Sequence, residues 1–178
     1  MKNNSVKVWE APVRLIHWLL AATVAAAWTT GEQIGSTHEV LGYAAIALVA
    51  LRWAWRGNRY ARIRHFVRPW HTTWSYLRQV VRGSAPRHIG HNPLGGAMAV
   101  ALWSCVALLG ASGWALNTDL LWGYAWPVRI HVALAWLLLG LIVMHLAGVA
   151  LTSWKHRENL IASMVSGVKQ APAADDVD

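Results

Sequence analysis

His131 and His145 stand fourteen residues apart inside one apolar stretch, Pro127 to Trp154, that is long enough to cross a bilayer. At about 1.5 Å of rise and about 100° of rotation per residue, a helix through them sets the rings roughly 21 Å apart along its axis and about 40° apart around it. One helix face therefore shows an imidazole near each side of a membrane. Ionisable side chains inside hydrocarbon are costly and are functional suspects by default. Two stacked on one face point to two stacked ligand sites, and a natural ligand for axial imidazole is haem iron.

The elements that must hold such rings are apolar helices. Of the 178 residues, 56% are hydrophobic and 13% charged, with mean hydropathy +0.31, a balance that suits one membrane domain better than a soluble one. Four stretches are long enough to span hydrocarbon: residues 12–30, 38–55, 93–116 and 127–154. Proline opens three of them, where its missing N–H costs nothing, and Asn92 before Pro93 is a good helix cap. The expected fold is all-α and integral to the membrane, a four-transmembrane-helix bundle over residues 6–168. Thirteen tryptophans against one phenylalanine fit aromatic belts at the span ends, with Trp103 and Trp136 expected to fill the core. The lone Cys105 has no disulfide partner, and the absence of Cys-x-x-Cys-His excludes covalent c-type attachment. No nucleotide-binding glycine motif occurs. The first span, with basic residues ahead of it and Ala25-Ala26-Ala27 inside it, resembles a signal peptide; cleavage would discard His17 and is not expected.

Charge orients the spans. Fifteen of the sixteen Lys and Arg lie on one side: Lys2, Lys7 and Arg14 before the first span, Arg52 to Arg87 between the second and third, and Lys155, Arg157 and Lys169 after the fourth. The opposite loops carry Glu32, Glu39 and Asp119, with Arg129 the one basic residue there. By the positive-inside rule both termini are expected to be cytoplasmic. The net charge of +8 is thus a topology signal, and no nucleic-acid partner is expected. In the basic loop, residues 56–91, Trp70, Trp74, Leu77 and Val81 recur at helical spacing. This predicts a short amphipathic helix over about 70–82, which fits either a seat on the inner leaflet or packing against the helix ends. Residues 169–178, with Asp175, Asp176 and Asp178, are expected to form a disordered tail.

Depth then pairs the histidines. His65, His71, His88, His91 and His156 fall in cytoplasmic loops or at a helix end and read as solvated. His38 and His131 both lie just inside the outer surface; His17 and His145 both lie in the inner half. Each pair fits one b-type haem, and two haems stacked across the bilayer give an electron a route. Zinc is a weaker fit, since it takes three or four converging ligands. Arg129 beside His131, and Arg14 and Arg52 on the inner side, fit propionate partners or snorkelling interface arginines. Gly42 and Gly148, each near a candidate ligand, fit close approach of a macrocycle or ordinary small-residue helix packing.

The segments VWEAPVRLIHW (8–18), HEVLGY (38–43), HNPLGGAM (91–98) and HRENL (156–160), with the His131/His145 pair, resemble the bacterial cytochrome b561 and nickel-hydrogenase b-type subunit family over roughly residues 6–168. The resemblance implies a bundle holding two haem b groups through His17, His38, His131 and His145. It also implies electron transfer between the quinone pool and a partner redox protein, either a periplasmic c-type cytochrome or an oxidoreductase subunit. Three rivals stand beside this. Gly110-Ala111-Ser112-Gly113 matches a nucleophile pattern, so Ser112 with a membrane histidine would make an intramembrane serine protease. A ferric-reductase-like domain would need a second spaced histidine pair and flavin or nicotinamide domains. A haem-bearing anchor subunit without turnover is the third.

Overall fold

The computed structural model of the chain describes residues 5–31, 36–55, 57, 66–121, 123–173 and 176–177. Lys2, Glu32, Arg56, Arg59, Arg62, Arg64, His65, Trp122, Asp175 and Asp178, which entered the charge, histidine, tryptophan and tail readings, lie outside the described residues.

The long apolar runs form helices at nearly the expected bounds. α1 is Ala11–Thr30, α2 is Ser36–Ala54, and α4 and α5 are Pro93–Leu116 and Ala125–His156. Between α2 and α4 lies α3, Trp70–Val81; α6, Leu160–Ser166, follows α5. Asn92 caps α4 as expected, its side-chain oxygen accepting from Gly95 N–H at 2.7 Å. Among the described residues, α1, α4 and α5 are long and apolar enough to cross a membrane. α2, at 19 residues, matches in length but is less apolar, because Ser36, Thr37, His38, Glu39 and Arg52 dilute it.

The chain divides into two compact units. The helical unit contains residues 15–54 and 101–143. Its core is Ala45 and Val49 of α2, Cys105 and Val106 of α4 and Leu138 of α5, with Leu20 and Val24 of α1 packed against them. All four long helices contribute to one cluster. Small residues allow close approach: a Cβ at Gly110 would collide with the Ile46 side chain. Trp103 packs on this cluster as expected. Trp136 does not: it is 62% exposed and meets Trp28 edge-on at 5.2 Å. Two residues from Leu138 is about 200° around a helix, so burying one turns the other outward.

The terminal unit contains residues 1–14, 55–100 and 144–178. β1 (Ser5–Lys7) pairs antiparallel with β2 (Val168–Gln170), Val6 opposite Lys169. Gly167 makes this junction. It caps α6 in the left-handed conformation at φ 84°, and its carbonyl accepts from Val8 and Trp9 N–H at 2.9 and 3.0 Å. Val8, Trp9 and Ile89 form a small core beneath. An ionic cluster adjoins it. Arg87 Nη2 donates to Glu158 Oε1 at 2.9 Å and Nη1 bonds Asp176. Lys169, 6% exposed, donates to the carbonyls of His88 and Ile89 at 3.0 and 3.1 Å and lies 3.4 Å from Glu158. Burial alone would raise the Glu158 carboxyl, but the Arg87 hydrogen bond, the Gln170 N–H and the charges of Lys169 and Arg87 outweigh it and hold the group below its ordinary value.

Where the sequence reading expects a disordered tail over 169–178, Lys169 and Gln170 thus lie in β2, Asp176 pairs with Arg87, and Val177 bridges His88. The basic residues that look like mere surface charge supply the anchor. His88 also departs from its solvated reading. It is buried, edge-on to Tyr76 at 5.1 Å, and burial pushes its imidazole below the ordinary value. His91 is half-buried, with Trp9 and Phe66 ring centroids at 4.7 and 4.3 Å.

Candidate functional site

In the helical unit, α2 brings His38 and α5 brings His131 together edge to face. Their ring centroids are 6.1 Å apart and the planes cross at 79°. The last four carbonyls of a helix have no intrahelical partner, and α1 uses one of them here. His38 Nδ1 lies 2.9 Å from Ala27 O, near the end of α1. A carbonyl only accepts, so Nδ1 carries a proton here. The same result is reached differently at His131. Its Nδ1 lies 2.8 Å from Ser112 Oγ on α4, while that hydroxyl sits 3.0 Å from Leu109 O. With the hydroxyl proton on Leu109 O, the oxygen accepts from His131 Nδ1–H. Gly113 makes room, since a Cβ there would stand 3.3 Å from His131 Cε1.

The two rings thus meet edge-on, each with its Nδ1 engaged away from the pair. Their 6.1 Å spacing would leave room for one metal ion held between the two rings. The donor set fits bis-imidazole haem iron. It does not resemble a closed tetrahedral site, and among the described residues no group of three or more His, Cys, Asp or Glu converges.

The hydrogen-bond direction also bears on the protease rival. A nucleophilic serine donates to its base, whereas a Ser112 hydroxyl turned to Leu109 O accepts from His131, which is the reverse polarity.

His17 belongs to the helical unit and His145 to the terminal unit, and each is half-buried in its own surroundings. His17 meets Trp18 edge-on at 5.2 Å. Among the arginines, Arg52 is buried with its guanidinium 5.3 Å from the Trp103 ring centroid. Arg14 bonds Val165 O at the end of α6, and Arg129 is exposed near the start of α5. A Cβ at Gly42 or Gly148 meets nothing within 4 Å, so helix packing does not require glycine at either position. Sequence reasoning did not find the Ala27 carbonyl, Gly113, or Ser112 as a histidine's hydrogen-bond acceptor. The small-residue run 110–113 was the available signal.

Comparison with known proteins gives a consistent result. The family described as prokaryotic cytochrome b561 matches residues 8–167. A probable Ni/Fe-hydrogenase B-type cytochrome subunit of Bradyrhizobium diazoefficiens is 27% identical, covering 93% of this chain and 86% of that protein. One from Azotobacter chroococcum is 28% identical, covering 93% and 89%. The Escherichia coli K12 probable Ni/Fe-hydrogenase 1 B-type cytochrome subunit is 29% identical over a shorter region, 63% of this chain and 60% of that protein.

Proposed function

Because the chain belongs to the prokaryotic cytochrome b561 family, we propose that it is a dihaem b-type cytochrome relaying electrons across the bacterial inner membrane between the quinone pool and a partner redox protein. The observation that carries this is the His38–His131 pair, facing at 6.1 Å with both Nδ1 atoms engaged elsewhere. His38 and His131 hold the outer haem; His17 and His145 hold the inner one. Bound haem b supplies a one-electron ferric–ferrous couple. The chain's own residues hold that couple in place. The Ala27 carbonyl and Ser112 hydroxyl fix ring orientation and raise imidazole basicity. A haem held by two histidines would suit electron transfer over ligand binding. Arg129 on the outer side and Arg52 on the inner side are the propionate partners; Arg14, engaged with Val165, is the weaker inner candidate.

Topology supports the relay. The pairing of β1 with β2 within one unit supports an even number of crossings. Among the described residues three helices qualify on length and apolarity, and α2 is assigned as the fourth. Trp55, just after α2, donates to Glu10, just before α1, at 3.1 Å, as an out-and-back pair requires. The relatives' names favour an oxidoreductase of the Ni/Fe-hydrogenase type as partner; a periplasmic c-type cytochrome would meet the same outer haem. A pyridine-haemochrome assay tests the ligand set. Wild type should carry two haems per chain, and His131→Ala and His145→Ala about one each. Two haems retained in His145→Ala would refute the inner pairing. A quinol analogue should reduce both haems; failure to do so would favour an anchor subunit without turnover.

A further inference from the structure

α3 presents two different faces. Tyr76 is buried, its hydroxyl 3.4 Å from Pro86 O and its ring edge-on to His88, and this face holds the helix to the terminal unit. At about 100° per residue, Trp70, Trp74 and Val81 fall within about 40° of one another on the side away from Tyr76, and they are 74%, 42% and 79% exposed. Trp70 and Trp74 stack at 5.7 Å, with 22° between their planes. Arg78 lies beside them, its guanidinium 5.5 Å from the Trp74 centroid. Trp70, His71, Trp74, Arg78 and Arg82 line one shallow groove. Packing is therefore the role of Tyr76, and the apolar stripe with its basic flank points outward.

Charge selects what covers it. No Asp or Glu occurs from Arg52 to Arg87, a segment with nine arginines. Tryptophan rings favour the headgroup level of a bilayer, and guanidinium forks bind phosphate oxygens in pairs. We propose that α3 lies on an anionic phospholipid leaflet, with Trp70, Trp74 and Val81 in the boundary between headgroups and acyl chains and Arg78 and Arg82 on lipid phosphates. Nothing in this depends on the haem ligands.

The test uses full-length protein carrying Cys105→Ala and Val81→Cys, with an environment-sensitive fluorophore on the new thiol, in nanodiscs of phosphatidylcholine with or without phosphatidylglycerol. An unchanged haem-to-protein ratio verifies folding. With phosphatidylglycerol the emission should shift to the blue and be quenched by nitroxides in the upper acyl chain. Arg78→Gln and Arg82→Gln should each lower the docked-to-undocked ratio about fivefold. Aqueous, unquenched emission in both lipids would overturn the proposal. So would a blue shift without nitroxide quenching that grows with copies per disc, which would assign the stripe to a second copy. Equal quenching in both lipids, indifferent to the arginine variants, would also overturn it.

Discussion

His131 Nδ1 is committed to Ser112 at 2.8 Å, and the ring lies edge-on to His38. An acceptor on Nδ1–H pushes electron density toward Nε2 and favours ferric over ferrous iron. Ser112→Ala should therefore retain two haems in excess haem while weakening the outer site about tenfold. It should also raise one midpoint potential by on the order of 60 mV, the equivalent of a tenfold change in relative stabilisation. Redox titration reads this directly, and Ser112→Thr should restore both values. A hydrolytic role predicts the reverse pattern, lost cleavage with unmoved potentials. At this scale the four histidines were legible as types and spacings, because ionisable residues stand out in apolar sequence. Ser112 was legible only as a candidate nucleophile. Whether a hydroxyl donates or accepts depends on the register of α4 against α5, which no local pattern encodes.

Among the elements, the long helices were legible from their apolar runs, and α3 from its spacing. β1 and β2 were not. Three residues each, SVK and VKQ, are too short for alternation to register, and each is a strand only because the other is there. Gly167 is the hinge of that pairing. Alanine at φ 84° is strained, and its Cβ would stand 2.5 Å from Trp9 O. Gly167→Ala should cost about 1–3 kcal/mol locally, seen as faster amide exchange across β1 and β2 with α4 and α5 unchanged. The ionic cluster has a pH signature. Because the folded Glu158 carboxyl lies below its ordinary value, its contribution is fully present above the unfolded value, about 4.3. It is lost as pH falls through the folded value. Strand exchange should thus accelerate on acidification below about pH 4. Glu158→Gln should already be loosened at pH 7, with a flatter acid limb.

For the whole molecule, the charge asymmetry and the paired termini make the same topological prediction from unrelated physics. A fluorescent protein fused after Asp178 should glow, an alkaline phosphatase fused there should stay inactive, and the phosphatase should become active when inserted between α4 and α5. The reverse pattern would invert the haem assignments, outer for inner. The strand pair also has a consequence for biogenesis. Its first strand, Ser5–Lys7, leaves the ribosome about 160 residues before its second, Val168–Gln170. At about 5–20 residues per second, β1 waits on the order of ten seconds for its partner. A chain released early, or one whose last span fails to insert, never buries Val8 and Trp9 or neutralises Arg87. It instead leaves the apolar segment around β1 open to quality-control proteases, so the clasp reports that the helices between the two strands have been made.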